Sequence, residues 1–351
     1  MHNPIRTAIV GYGRSGSTMH AGAIGRDSRF RLIAVCDTSP HQRQAASDRF
    51  GCSVYENHHE MLASEALDLV CIITRSDQHC QMACDCLQAG TNVLVTKPWA
   101  TNADEGRLMI ATAKASGKQL LPWLPARWGC ILRRLRQLVQ RRTVGQVFLI
   151  RRIVGGFGTR SDWQTRRAYG GGYLLNWGPH IVDPPVVLMQ SPVDSVYGRL
   201  KQTINPGDAE DLFFAVLNLA NGCLIQAEYT ITTEPLPDWI IQGDRGTIVV
   251  KGNRLMVHQG TPTTPDDPTQ YSTMAQVPSR TMQEHVPGSI YGNENEVYAA
   301  VAKALREEQP FPVATSDALQ LSIVLDAIRE SDRLNEIVKI RQVEGCYTAT
   351  L

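Results

Sequence analysis

The chain has 351 residues, which is enough for two domains with sizeable cores, and 35 lysines and arginines balance 34 aspartates and glutamates. The net charge of +1 gives little electrostatic support for binding nucleic acid or a membrane surface, and no apolar run reaches transmembrane length. The cysteine count of nine is odd, which favours reduced thiols over disulfide pairs. The first residues pass directly into a predicted strand and lack the pattern of a signal peptide. A cytoplasmic protein is therefore expected.

The first motif is a glycine-rich turn between two apolar runs. The run Ile5 to Val10 enters the pattern Gly11-x-Gly13-x-x-Gly16, and a helix-compatible stretch follows. A second apolar run ends on Asp37, about 20 residues after the last glycine. In a dinucleotide-binding turn the glycines permit a tight bend, close approach of the pyrophosphate and close packing of the helix. The spacing therefore predicts a Rossmann domain with the phosphates at a helix N-terminus.

The acidic residue after the second strand predicts which cofactor is used. Asp37 would accept hydrogen bonds from the ribose hydroxyls and repel a 2′-phosphate. No arginine follows in Thr38-Ser39-Pro40. NAD is therefore expected rather than NADP.

Strand and helix patterns then alternate up to residue 122. Mostly apolar runs indicate buried strands at 53–55, 67–74, 92–96 and 119–122. Helical patterns with caps such as Asn102 and Gly117 separate them, at 40–50, 57–63, 77–89 and 102–116. Repeating units of this kind predict a parallel sheet with ligands at the carboxyl ends of its strands. Residues 1–122 are expected to form this domain.

Three cysteines fall on one of these helices, but they do not predict a metal site. Cys80 and Cys84 share a helix face, Cys86 does not, and no CxxC pair occurs in the chain. Buried thiols are the simpler interpretation, so no metal is expected.

Residues 123–351 have a different pattern, which predicts an α+β domain with a mostly antiparallel sheet covered by helices on one face. Turn signals such as Asn221-Gly222 separate strand patterns and favour hairpins. Helices are expected at 127–142 and 174–189, the latter kinked or broken by prolines, and at 293–307 and 316–334. Strands are expected at 146–154, 195–203, 211–219, 223–232, 238–243 and 246–250. Residues 258–289 lack periodicity and are predicted to be a long surface loop.

Polar residues that could take part in catalysis follow several of the predicted strands or lie on a predicted helix of the second part of the chain. Lys97 precedes Pro98 at a strand end beside the expected nicotinamide, where a surface lysine is the alternative. Asn176 and His180 lie one helical turn apart and would share a face, although a lone histidine is more often structural.

These motifs together resemble the Gfo/Idh/MocA family, named for glucose-fructose oxidoreductase and inositol dehydrogenase. The similarity runs over nearly the whole chain and includes Lys97-Pro98, Gly170-Gly-Gly172 and His180 with Asp183. It implies an N-terminal Rossmann domain and a C-terminal domain whose open sheet forms a homodimer or homotetramer. In the family a Glu-Lys-Pro motif supplies a catalytic lysine and an Asp-x-x-x-His motif supplies a base, which match Lys97 and His180.

The motifs, the positions of residues near the expected cleft and the resemblance together give the full set of expected site residues. The expected catalytic group is Lys97, His180 and Asn176. The expected cofactor contacts are Gly11, Gly13, Arg14, Ser15, Gly16, Asp37, Thr74, His79, Thr96 and Lys97. The expected substrate contacts are Trp99, Trp123, Arg127, Trp163, Arg166, Asn176, Trp177 and His180.

Two positions depart from the family pattern. Thr96 stands where the glutamate precedes the lysine, and Asn176 replaces the aspartate of Asp-x-x-x-His. Thr96 removes a charge next to Lys97, and Asn176 cannot stabilise a cation on the histidine, so His180 should be a weaker base. Asp183 is a weak replacement, because the family often has an acid there too.

The leading functional hypothesis is reversible oxidation of a secondary hydroxyl of a sugar, inositol or related polyol with NAD. Indole rings suit the apolar faces of sugars, and Arg160 and Arg167 could join the arginines that bind hydroxyls or a carboxylate. Two alternatives stay open. One is glycosidic bond cleavage by transient oxidation with bound NAD, and the other is a cofactor-binding sensor without turnover, motivated by Thr96 and Asn176.

Overall fold

The apolar runs of the N-terminal part form a six-stranded parallel sheet in a computed structural model of the chain, which describes residues 3–262, 267, 269–274, 277–343 and 345–346. The strand order is β3, β2, β1, β4, β5, β6, so the order reverses beside β1 and leaves a crevice at the carboxyl ends of the strands. The strands are β1 (Ile5–Val10), β2 (Phe30–Cys36), β3 (Ser53–Tyr55), β4 (Leu69–Ile72), β5 (Asn92–Thr96) and β6 (Leu120–Trp123). The predicted Rossmann sheet is confirmed.

Five helices connect these strands, and local sequence sets their ends. Asn102 accepts a hydrogen bond from the Glu105 amide at 3.0 Å, which caps the longest of them, and Gly117 ends it in the left-handed conformation. The helices are α1 (Ala21–Arg26), which continues a π-helical turn over Ser15–His20, then α2 (Pro40–Phe50), α3 (His58–Ser64), α4 (His79–Gln88) and α5 (Ala103–Ser116).

Over the described residues, the second sheet has nine strands in the order β14, β13, β12, β11, β7, β10, β9, β8, β15. All neighbours pair antiparallel except β7 and β10, so the predicted mostly antiparallel sheet is confirmed. Its strands are β7 (Val147–Gly156), β8 (Val193–Lys201), β9 (Leu212–Leu219), β10 (Leu224–Ile231), β11 (Trp239–Gly243), β12 (Gly246–Lys251), β13 (Arg254–Gln259), β14 (Arg280–His285) and β15 (Val338–Lys339).

Helices cover one face of this sheet and tie it to the first one. The long α10 packs on β8 and also on α5 of the Rossmann layer, while α7 packs on β7, β9 and β10. Prolines break the predicted helix 174–189 into α7 and α8, which meet at Val182. The helices are α6 (Cys130–Gln140), α7 (Tyr173–Ile181), α8 (Asp183–Met189), α9 (Glu294–Leu305) and α10 (Thr315–Leu334).

The prediction of a long loop over 258–289 is wrong at both ends. β13 extends into it, and β14 pairs with β13 along its whole length. Almost every residue of β14 is exposed, so no alternation of apolar and polar residues marks it in the sequence. Residues 263–266, 268, 275 and 276 of the predicted loop lie outside the described residues. Among those that are described, we find no helix with the length and apolar character needed to cross a membrane.

Candidate active site

A cleft of about 1320 Å³ follows the carboxyl ends of the Rossmann strands and reaches α7 beside the second sheet. Asp37 and Thr38 line one part of it, Gly13 lines the wall after β1, and Lys97 and His180 line the part nearest to α7. The crevice is therefore continuous from the predicted ribose-binding acid to the predicted catalytic pair.

The glycine-rich turn leaves room for a dinucleotide. A Cβ atom on Gly16 would lie 2.0 Å from the Gly11 carbonyl oxygen, so only glycine allows the helix to start this close to β1. A Cβ on Gly13 would meet no atom within 4 Å, so the backbone there borders open space. Ser17 donates its amide to the Gly13 carbonyl at 2.9 Å, which begins the π-helical turn. This is the cradle that a pyrophosphate needs.

The carboxylate of Asp37 is held in a fixed orientation at the other wall. Its Oδ2 accepts the Tyr12 amide at 2.7 Å and its Oδ1 accepts the Ser39 amide at 2.8 Å. Each carboxylate oxygen has two lone pairs, so both retain acceptor capacity for ribose hydroxyls. Together with the glycine turn, these groups fit the adenosine half of a nicotinamide dinucleotide.

Lys97 is fixed at the end of β5 by Asn176 of α7. Its Nζ donates to the Asn176 Oδ1 at 2.7 Å and to the Asn176 carbonyl oxygen at 3.0 Å. Within the described part of the chain, no carboxylate forms an ion pair with this ammonium. Burial, followed by the positive charges of Arg160 and Arg14, lowers the pKa of Lys97 to about 8. Lys97 is therefore a cation near neutral pH that is held mainly by neutral oxygens.

His180 projects from α7 into the same part of the cleft. The residue is buried, and its Nδ1 has no hydrogen-bond partner among the described residues. Burial, with the charges of Lys97 and Arg152, lowers the pKa of His180 well below its ordinary value. The imidazole is therefore neutral near pH 7 and can accept a proton.

A glycine fixes the start of the helix that carries His180. Gly172 has φ +105°, and a Cβ there would lie 2.2 Å from the Glu210 carboxylate. Only glycine adopts this turn without strain, and α7 begins at the next residue. The predicted motif Gly170-Gly-Gly172 thus sets the position of Asn176 and His180 relative to Lys97.

Two of the residues predicted to contact the cofactor form hydrogen bonds to the backbone of the strands and loops around the cleft. Thr96 donates its hydroxyl to the Ile72 carbonyl at 3.0 Å, so it joins β5 to β4. His79 is buried, with Nδ1 2.8 Å from the Pro98 carbonyl oxygen and Nε2 3.1 Å from that of Thr74. It therefore ties together the loops after β4 and β5 and does not line the cleft.

Three of the predicted tryptophans do line the cleft: Trp123, Trp163 and Trp177. The Trp177 ring lies 5.3 Å from Tyr229 and 6.2 Å from Tyr291, measured between centroids. Beside Trp163, the Arg160 guanidinium donates to Gln164 Oε1 at 2.6 Å. Flat rings and fixed donors therefore line the cleft that also contains Lys97.

The structure places three other predicted substrate contacts away from the cleft lining. Trp99 is only 2% exposed and donates its indole N–H to the Ser322 hydroxyl at 2.8 Å, so it packs between α5 and α10. Arg127 is buried in ion pairs with Asp183 and Asp317. Arg166 is exposed to solvent outside the cleft lining. Asp183 accordingly pairs with an arginine and does not take the place of the missing aspartate beside His180.

His20 and Tyr291 are among the cleft residues that were not predicted from the sequence. His20, in the π-helical turn, has its ring centroid 4.5 Å from that of Trp123, with the two rings tilted, and contacts the Tyr298 hydroxyl through Nδ1 at 2.9 Å. Tyr291 lies 5.0 Å from the His180 ring. The position of His20 one turn after Gly16 was an available signal, whereas Tyr291 follows the segment that shows no periodicity.

Two family descriptions match the chain. Residues 5–122 match "Oxidoreductase family, NAD-binding Rossmann fold", and residues 132–249 match "GFO/IDH/MocA C-terminal domain". Both matches lie within the parts of the chain that build the two sheets and the cleft.

Individual proteins are also similar to this chain over much of its length. The chain is 27% identical over 248 residues to a D-glucoside 3-dehydrogenase of Escherichia coli, covering 64% of this chain and 70% of that protein. It is 21% identical to the NADP-dependent scyllo-inositol 2-dehydrogenase IolW of Bacillus subtilis, covering 94% of each. The WlbA dehydrogenase of Bordetella pertussis, solved with NADH and UDP-GlcNAcA, has a TM-score of 0.82 and 25% identity, covering 97% of this chain and 99% of that one.

Proposed function

The chain belongs to the Gfo/Idh/MocA family of oxidoreductases, and we propose that it oxidises a secondary hydroxyl of a sugar, inositol or related polyol with NAD, using Lys97 and His180. The relatives that act on a glucoside and on scyllo-inositol support this substrate class. We also propose that residues 1–122 hold the cofactor and residues 123–351 hold the substrate and form a homodimer or homotetramer.

The observation that carries the proposal is the juxtaposition of Lys97 and His180 at the end of the cleft opposite Asp37. The Lys97 ammonium binds the substrate oxygen and stabilises the negative charge that develops on it. The neutral His180 accepts the hydroxyl proton. Asn176 holds the Lys97 ammonium in place through two hydrogen bonds. Bound NAD would supply the hydride acceptor.

The surroundings of Asp37 support NAD as the cofactor. Arg43, the first arginine or lysine after Asp37, donates to the carbonyl oxygens of Asp37 and Thr38 and pairs with Glu56. Its guanidinium is thus engaged, while the Asp37 carboxylate would repel a 2′-phosphate.

A panel of sugars, glycosides, inositols and sugar nucleotides, each tested with NAD and with NADP, checks this proposal. We expect NADH formation with at least one secondary alcohol, in amounts equal to the oxidised product, and tighter binding of NAD than of NADP. Substrate cleavage without net NADH would favour the transient-oxidation mechanism. Tight NAD binding without turnover on any substrate would favour a sensor.

The pKa of Lys97 predicts how the rate depends on pH. Lys97 acts as a cation, so kcat/KM should fall as the pH rises through its pKa of about 8. In Asn176→Asp a carboxylate would lie where Oδ1 now contacts Nζ, and it would raise the pKa of Lys97. The fall in rate should then move upward by roughly one pH unit.

The measurement is the pH profile of kcat/KM between about pH 6 and pH 10. Asn221→Asp adds the same charge in an exposed turn outside the cleft lining and should leave the profile unchanged. If Asn176→Asp and the parent chain show the same alkaline limb, the titrating group is not Lys97.

A further inference from the structure

Two consecutive histidines of α3 and an aspartate of α4 converge beside the cofactor cleft. His58 Nε2 lies 2.9 Å and His59 Nε2 lies 3.6 Å from Oδ2 of Asp85. Consecutive helical side chains normally diverge by about 100°, because a turn has 3.6 residues. Here both rings turn toward the same oxygen, with centroids 4.0 Å apart.

The distances among these atoms fit coordination of one ion. Zinc binds imidazole nitrogen at about 2.0–2.1 Å and carboxylate oxygen at about 2.0–2.2 Å, so two ligand atoms at a tetrahedral angle are about 3.3 Å apart. The observed separations of 2.9 and 3.6 Å bracket that value. All three donor atoms lie within 4.8 Å of one another. Small side-chain rotations would therefore complete the geometry.

Neighbouring residues orient the three side chains and leave the cluster open to solvent. Gln81 donates its amide to Asp85 Oδ1 at 2.8 Å, which turns Oδ2 toward the two rings. Supporting hydrogen bonds of this kind are typical of metal ligands. The His59 side chain is 62% exposed, so solvent reaches the cluster and can fill the remaining coordination position. His58 also lines the cofactor cleft, which places the cluster at the border of the Asp37 end.

We propose that His58, His59 and Asp85 bind a divalent cation of the zinc class, with water as a further ligand. Two imidazoles and one carboxylate suit zinc, cobalt or nickel better than magnesium or calcium, which prefer oxygen ligands. The ion replaces the hydrogen bond between His58 Nε2 and Asp85 Oδ2, and the neutral imidazole that binds through Nε2 carries its proton on Nδ1. The bound ion cross-links α3 to α4.

Titration of the untagged full chain, after removal of metals with a chelator, tests this site independently of turnover. Calorimetry with Zn²⁺ should show one saturable site per chain, and Zn²⁺ should raise the melting temperature. His59→Gln should weaken binding by more than about tenfold, because loss of a supporting group alone costs about 10- to 100-fold. This variant should fold normally, since the side chain is exposed.

His41→Gln is the matched control. It removes one exposed histidine from α2 and should bind Zn²⁺ like the parent chain. With Co²⁺ as a second probe, the parent and His41→Gln should give visible absorption bands that His59→Gln lacks. Equal Zn²⁺ affinity in the parent and His59→Gln, or the absence of saturable binding in the parent, would overturn the proposal.

Discussion

Lys97→Met should reduce kcat by about 100- to 1,000-fold, the usual cost of removing one donor that stabilises the negative charge developing on the substrate oxygen. The variant keeps the aliphatic stem but removes the ammonium that Asn176 holds in the cleft. Binding of NAD should be nearly unchanged, because the groups expected to bind its adenosine half, the glycine turn and Asp37, follow β1 and β2 and not β5. The measurement combines steady-state kinetics on the best substrate with NAD binding followed by fluorescence.

Lys114→Met is the matched control for loss of a lysine. Lys114 is exposed in the last turn of α5 and should be replaceable without effect on rate or cofactor affinity. Circular dichroism should show that both variants are folded. A Lys97→Met enzyme with the parent rate would make this residue an ordinary loop lysine and remove the basis of the proposed chemistry.

The two departures from the family pattern have different consequences in the structure. The Thr96 hydroxyl is bonded to β4, so it does not approach the Lys97 ammonium as a substitute for glutamate. Asn176 does contact the ammonium, but without a charge. Asn176 therefore balances the positive charge of Lys97 less than an aspartate would, and that charge contributes to lowering the pKa of His180.

Features that depend on short stretches of sequence were predictable. The spacing of glycines, the apolar runs and caps such as Asn102 specify the Rossmann sheet, because each acts through neighbouring residues. The placement of Lys97 at a strand end follows from the same pattern. Its contact with Asn176 was not predictable, because that residue lies 79 positions further along the chain, on a helix that packs on the second sheet.

The direction in which individual side chains point, and the contacts between residues of different elements, were not predictable from the sequence. Trp99 is close in sequence to Lys97, yet it is buried and its indole N–H donates to Ser322 of α10, because the chain leaves the cleft after β5 and enters the layer between α5 and α10. The cluster of His58, His59 and Asp85 joins two consecutive helices, with His58 and Asp85 27 positions apart, so no short motif marks it. The sequence-based expectation of no metal site considered the cysteines and not these residues.

Arg127 shows most clearly how a family-matched residue can have a structural role. Its Nε and Nη2 donate to both carboxylate oxygens of Asp183 at 2.9 and 2.7 Å, and its Nη1 donates to Asp317 at 2.6 Å. All three side chains are almost completely buried. The guanidinium thereby joins the segment after β6 to the starts of α8 and α10. Loss of one member of such a buried network leaves the partner charges in a poorly solvating interior.

Arg127→Met should therefore lower the free energy of unfolding by about 3–5 kcal/mol, measured by denaturant titration. Arg107→Met is the control, because Arg107 pairs with Asp104 on the exposed surface and such pairs contribute at most about 1 kcal/mol. Arg127→Lys keeps the charge but loses the paired hydrogen bonds, so its stability should be intermediate. If Arg127→Met is as stable as Arg107→Met but has a raised KM for the substrate, Arg127 binds substrate as the sequence suggested and the ion-pair network is not what holds these segments together.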